Sequence, residues 1–194
     1  MDRTEPILID PLLEIMRRLR DPADGCEWDK VQTFETIAPY TIEEAYEVAD
    51  AIKRNDMAAL KDELGDLLLQ VVFHSQIAAD ARQFDFAEVV TAICNKMTRR
   101  HPHIFGEANQ SPGWEQIKAD EREQSGQSSA LDGVALALPA LLRAQKIQKR
   151  AARVGFDWPA KEPVKEKLLE ELEEVAAART DAEVHEEIGD LLFS

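Results

Sequence analysis

An all-α fold is predicted by three features of this chain. Apolar residues recur at helical spacing along most of its length, alternating strand-like runs are nearly absent, and a carboxylate-bearing helix pair occurs twice. The first copy reads Glu43-Glu44-Ala-Tyr-Glu47, then Glu63-Leu-Gly-Asp66-Leu-Leu. The second reads Glu170-Glu171-Leu-Glu-Glu174, then Glu187-Ile-Gly-Asp190-Leu-Leu. Carboxylates are poor core residues, so a repeat built on them points to a site used twice rather than to repeated packing.

Taken in order, Leu12, Leu13, Ile15, Met16 and Leu19 predict an amphipathic helix stopped by Asp21-Pro22. Residues 23–40 read as a loop, with Gly25, Cys26, Trp28 and Pro39 breaking any period. Thr41 is the expected cap of a helix over about 42–53, with Glu44 completing a capping box. Asn55-Asp56 marks a turn. Ala58 to about Arg82 predicts a long helix, apolar on nearly every side around residues 67–73, and so placed inside a bundle. Phe86 to Arg100 predicts a further helix ended by Pro102. Residues 106–113 and 124–133 read as loops flanking a short helix over Trp114–Glu123. Leu138 to Arg153, about 163–178 and 182–193 complete the helices. The expected organisation is a helical module over 1–123, a linker over 124–136 and a second helical module over 137–194. That second module is expected to be incomplete. In the first copy the matching helix runs on for roughly four more turns, and another follows with Lys96, Arg99 and Arg100.

Composition narrows the function. A net charge of -15 argues against general nucleic-acid binding, which needs a basic surface, but not against a phosphate ligand held through metal. Cys26 and Cys94 are far apart and form no C-x-x-C pair, which fits a reducing cytoplasm and no zinc site. No apolar run suggests a membrane span or a signal segment.

Glu44 and Glu47 share a helix face, as do Glu63 and Asp66 on the next helix. A short turn makes those helices antiparallel neighbours, so both pairs can face one gap. Four carboxylates there repel one another unless protonated or bridged by cations. An all-oxygen set selects Mg²⁺, or Mn²⁺, over zinc. Glu171, Glu174, Glu187 and Asp190 repeat the arrangement. A lone E-E-x-x-E is more often an exposed acidic face. Its linkage to E-x-x-D and its recurrence favour the metal reading. A di-iron bundle needs Glu-x-x-His, and no histidine has a glutamate three residues before it. Glu43 or Glu170, beside each set, could orient or deprotonate a water.

Other features have plainer readings. Arg143, Lys146, Lys149, Arg150 and Arg153 form a basic face that serves solvent or phosphate equally well. Arg17, Arg18 and Arg20 read as charges at a helix C-terminus. His101 and His103 read as parts of a turn, and Trp28 and Trp158 as packing residues.

The segments Gly25-Cys-Glu-Trp-Asp29, Ile37-Ala-Pro-Tyr-Thr-Ile-Glu-Glu-Ala-Tyr-Glu47, Glu63-Leu-Gly-Asp-Leu-Leu-Leu-Gln-Val-Val-Phe-His74, Arg99-Arg-His-Pro-His103, Trp114-Glu-Gln-Ile-Lys118 and Arg143-Ala-Gln-Lys-Ile-Gln-Lys149 closely resemble the MazG family of nucleoside triphosphate pyrophosphohydrolases. The likeness spans essentially the whole chain, with Glu27 where the family usually has proline. It implies tandem all-α modules, usually as a homodimer, and Mg²⁺-dependent cleavage of a nucleoside triphosphate to monophosphate and pyrophosphate. It further implies that Glu171, Glu174, Glu187 and Asp190 are the main magnesium ligands and that Lys118 binds triphosphate. The basic helix bearing Lys96, Arg99 and Arg100 suits phosphate oxygens. The other reading from the sequence is a non-catalytic nucleotide-binding or dimerisation module.

Overall fold

A computed structural model describes residues 9–106, 113, 117, 121 and 129–194. The chain divides into two compact units, Met1–Ser111 and Pro112–Ser194. Every regular element among the described residues is helical.

In the first unit, α1 (Asp10–Leu19), α2 (Phe34–Arg54), α3 (Met57–Asp80), α4 (Phe86–Arg100) and the short α5 (Pro102–Phe105) follow in order, with a 3₁₀ turn over Asp29–Val31. Helices α2 and α3 are the most extensively packed pair, and α1 lies across α3. The core is Met16 of α1, Ile37 of α2 and Val72, Phe73 and Ile77 of α3, ringed by Leu12, Leu13, Phe34, Leu69 and Phe86.

The start of α2 differs from the expected one. Thr33, not Thr41, is the cap, in a reciprocal box with Thr36. Residues 34–40, expected as loop, are helical, and Pro39 lies within the helix. Proline there removes one backbone hydrogen bond. Burial of Ile37 against Met16 and Phe73 stabilises the extra turns enough to offset that loss. Thr41 instead places its hydroxyl 3.0 Å from Nε2 of His74, tying α2 to α3 one turn before Glu44. The His74 ring stacks on Phe34, and burial holds its pKa below the ordinary value. Asn55 takes a left-handed conformation (φ 54°) and Asp56 caps α3 through its side chain, so the α2–α3 turn is tight.

The expectation that α3 is interior holds only for its second half. Gln70, Val72, Phe73, Ser75, Ile77 and Ala78 are buried, whereas Leu64, Leu68 and Val71 are exposed on the chain taken alone.

Arg20 departs furthest from its sequence reading. It is not a solvated charge at the end of α1. Its side chain is 8% exposed and ion-pairs with Asp80 at 2.8 Å. It also donates to the carbonyls of Asp29 and Gln32 and lies over the Phe73 ring. One guanidinium thus joins the end of α1, the 3₁₀ turn and the end of α3. Trp28 meets Tyr40 and Phe73 edge-on but keeps 50% of its surface exposed, and Trp158 is 52% exposed, so neither is the core packing residue expected.

The second unit contains α6 (Ala140–Arg153), α7 (Lys161–Ala177) and α8 (Asp181–Phe193). Thr180 and Glu183 form a capping box at the start of α8, which packs on α7 and α6. Gln148 donates to the carbonyl of Phe193. The short helix expected over Trp114–Glu123 lies outside the described residues apart from Ile117 and Glu121, and so do residues 124–128 of the expected linker.

Candidate metal and catalytic site

The turn lengths decide which carboxylates meet. Glu47 lies about two turns before the end of α2, and Glu63 nearly two turns after the start of α3. Two antiparallel helices joined by a tight turn therefore bring them level. In the first unit Glu44, Glu47 and Glu63 each offer an oxygen within 4.8 Å of the others. Asp66 faces the same gap closely enough to act on the charge of Glu44 and Glu63.

The second pair is offset by one turn. Helix α7 ends less than one turn past Glu174, so Glu171 is the residue level with Glu187. Here Glu171, Glu187 and Asp190 bring oxygens within 4.8 Å of one another. Glu174 is exposed and acts on Glu187 through its charge. The two sets thus use the same motif with different members closest together.

Both gaps are electrostatically loaded. The carboxyl of Glu44 is held above its ordinary value by burial first, then by Asp66, Glu47, Glu63 and Glu43. Glu63 is raised by burial, by the charges of Glu47 and Asp66, and by a hydrogen bond with Glu47. Glu187 is raised by burial and by Glu174, Asp190, Glu171 and Glu186. Among the described residues no lysine or arginine makes an ion pair with Glu44, Glu47, Glu63 or Asp66.

A carboxyl that binds its proton more tightly folded than unfolded favours the folded state when protonated. That stability is present below the ordinary value of 4.5 and is lost as pH rises through the raised folded value. With metal chelated, Glu44→Gln is therefore expected to melt at a higher temperature than the parent chain at pH 7. The difference should vanish below pH 4.5. Equal melting temperatures at both pH values would show that the gap is not strained by charge.

Glu171 is the most informative ligand candidate. It is 3% exposed, and its Oε2 has no hydrogen-bond partner. A buried carboxylate oxygen without a partner is costly, and a hard cation satisfies it. The other two members of the trio are carboxylates, so the donor set fits Mg²⁺ or Mn²⁺. Gly65 and Gly189 precede the two aspartates, and a Cβ added at either would meet nothing within 4 Å. The space over both is open.

Glu43 and Glu170 are exposed neighbours of their sets, and Glu170 lies 3.2 Å from Lys167. Lys96 and Arg99 are exposed and Arg100 half-buried near the end of α4. Lys118 lies outside the described residues. Sequence reading overlooked Lys167, whose ammonium is 2.6 Å from Oε1 of Glu171. The signal was present: lysine four residues before a glutamate on one helix reaches that carboxylate.

Residues 32–105 match the MazG nucleotide pyrophosphohydrolase domain. A protein of Escherichia coli (strain K12), named nucleoside triphosphate pyrophosphohydrolase, is 54% identical over 96% of this chain and 75% of its own length. The nucleoside triphosphate pyrophosphohydrolase/pyrophosphatase MazG of Thermotoga maritima is 47% identical over 97% of this chain and 74% of its own length. A solved mazG-related protein from Thermotoga maritima is 30% identical, covers 59% of this chain and 98% of its own, and has a TM-score of 0.46. Identity above one half, sustained over three quarters of a relative, places this chain in the MazG nucleotide pyrophosphohydrolase family.

Proposed function

We propose that this chain hydrolyses nucleoside triphosphates to the monophosphate and pyrophosphate, with Mg²⁺ or Mn²⁺ held by its acidic helix pairs. The observation that carries the metal assignment is Glu171, buried, with one unpartnered oxygen, among carboxylates at ligand spacing. The names of the family's members support the reaction. A divalent cation bound there supplies charge to phosphate oxygens and acidifies a nearby water.

The chain's own residues do the rest. Glu171, Glu174, Glu187 and Asp190 hold the cation in the second unit, and Glu44, Glu47, Glu63 and Asp66 in the first. We assign the main catalytic set to the second unit, because only there is a ligand candidate both deeply buried and short of a partner among the described residues. Glu170, or Glu43 in the first unit, takes the proton as the water oxygen bonds to phosphorus and the α–β anhydride breaks. Lys118, Lys96, Arg99 and Arg100 are the proposed phosphate-binding cations.

The partner in solution is a second copy of the chain. Leu64, Leu68 and Val71 leave an apolar stripe on α3, and Val90, Ile93 and Met97 leave another on α4. Sedimentation equilibrium should give twice the chain mass, and a monomer mass at micromolar concentration would oppose it. No described helix is long and apolar enough to cross a membrane. The exposed free Cys26 and Cys94 suit a cytoplasmic location, and the net charge of -15 disfavours nucleic acid as a partner.

Phosphorus NMR of the products tests the reaction. Incubation of the chain with a nucleoside triphosphate and Mg²⁺ should yield monophosphate and pyrophosphate, and chelation should stop it. Diphosphate with orthophosphate as the main products would place the cleavage at the other anhydride. Metal-dependent nucleotide binding with no cleavage would favour a non-catalytic module.

A further inference from the structure

We propose that the two carboxylate sets are unequal toward metal, because the second carries its own internal cation, Lys167, and among the described residues the first carries none. The inference rests on the reading of both sets as cation sites. Lys167 Nζ lies 2.6 Å from Oε1 of Glu171 and 3.2 Å from Oε1 of Glu170. Lysine is charged at neutral pH, so both contacts are ion pairs.

Glu171 is 3% exposed while the Lys167 side chain keeps 35% of its surface, so this charge-assisted bond is screened by water from the lysine side only. A dication entering the gap must either replace the ammonium on Glu171 or sit beside it against like-charge repulsion. Either route lowers affinity. Oε2 of Glu171 stays unpartnered, so Lys167 balances charge without completing the coordination. The internal cation is therefore a competitor rather than a substitute.

The first set differs at the corresponding position. One turn before Glu44, the motif match of Glu171, stands Tyr40, whose ring packs edge-on to Trp28 at 6.1 Å, and one turn before Glu47, the residue level with Glu63, stands the acidic Glu43, so neither brings a positive charge. The first set should load with metal at lower free concentration than the second. Lys167 is then a positioning residue that sets the order of metal loading, acting through Glu171.

The test isolates the second set in a chain carrying Glu44→Gln and Glu47→Gln. Binding of Mn²⁺ alone, without nucleotide, is read by electron paramagnetic resonance of the free ion. Adding Lys167→Met should tighten binding on the order of tenfold, which corresponds to about 1.4 kcal/mol. Lys165→Met removes the same charge from an exposed position on the same helix and should change binding by less than about twofold. Equal effects of the two variants would reduce the result to bulk charge and overturn the proposal. Unchanged or weaker binding in Lys167→Met would also overturn it and make Lys167 a residue that orients Glu171 for the metal. Circular dichroism of each variant separates these outcomes from misfolding, with Lys167→Gln as the second probe should Lys167→Met not fold. If the isolated set binds no Mn²⁺ that Glu187→Gln with Asp190→Asn removes, the cation-site reading itself fails.

Discussion

Glu171→Gln is expected to lower the rate of pyrophosphate release on the order of 10²–10³-fold. The substitution keeps the shape and hydrogen-bonding reach of the side chain but removes its charge. Glutamine offers one neutral oxygen where the carboxylate offers two anionic ones, so cation affinity falls. It also leaves Lys167 facing Glu170 alone. Because Glu171 is 97% buried by its 3% exposure, no water can take over the lost role at little cost. Raising Mg²⁺ should recover part of the rate, since the defect lies first in holding the ion. Glu173→Gln, an exposed neighbour on α7, should leave the rate within about twofold. A rate for Glu171→Gln within a few-fold of the parent, with Glu44→Gln nearly inactive, would move the catalytic centre to the first unit.

Arg20→Met is expected to destabilise the first unit by about 2–3 kcal/mol. Breaking a fully buried ion pair typically costs about 3–5 kcal/mol, mostly from the charge left behind. Asp80 keeps 38% side-chain exposure and can turn to water, which reduces that cost. The carbonyls of Asp29 and Gln32 lose their donor as well. By contrast Arg17, bonded to Glu14 at 2.7 Å on an exposed face, should change stability little when replaced by alanine. Hydrogen exchange of amides in α1 and α3 reads the difference. Protection lost equally in both variants would mean that Arg20 does not hold these elements together.

These two residues differ in what the sequence could say of them. That Glu171 meets carboxylates of the next helix was legible in spacing: paired carboxylates three apart, on two helices, used twice. The α3, α4 and α8 boundaries were also close to their expected positions, since Asp56, Asp85 and Thr180 are side-chain caps next to clear helical periods. Arg20 was not legible, because its partners Asp29, Gln32 and Asp80 come from separate elements. Nothing local distinguishes it from Arg17.

The start of α2 misled for a different reason. Pro39 argues locally against helix, and the Thr33–Thr36 capping box together with the long-range burial of Ile37 overrides it. The one-turn offset between the sets was encoded in the early end of α7, yet a motif comparison looks at matching letters and not at the lengths between them. Lys167 was within reach of the helical i, i+4 rule, but attention to acidic residues passed over the cation among them.

The central claim is that both acidic helix pairs are sites for a hard divalent cation. Anomalous scattering from crystals grown with Mn²⁺ tests it most directly. A peak is expected among Glu44, Glu47 and Glu63 and, at higher Mn²⁺, a second among Glu171, Glu187 and Asp190, each at oxygen-ligand distance. Crystals saturated with Mn²⁺ and nucleotide that show no peak at either set, or peaks only elsewhere on the chain, would contradict it.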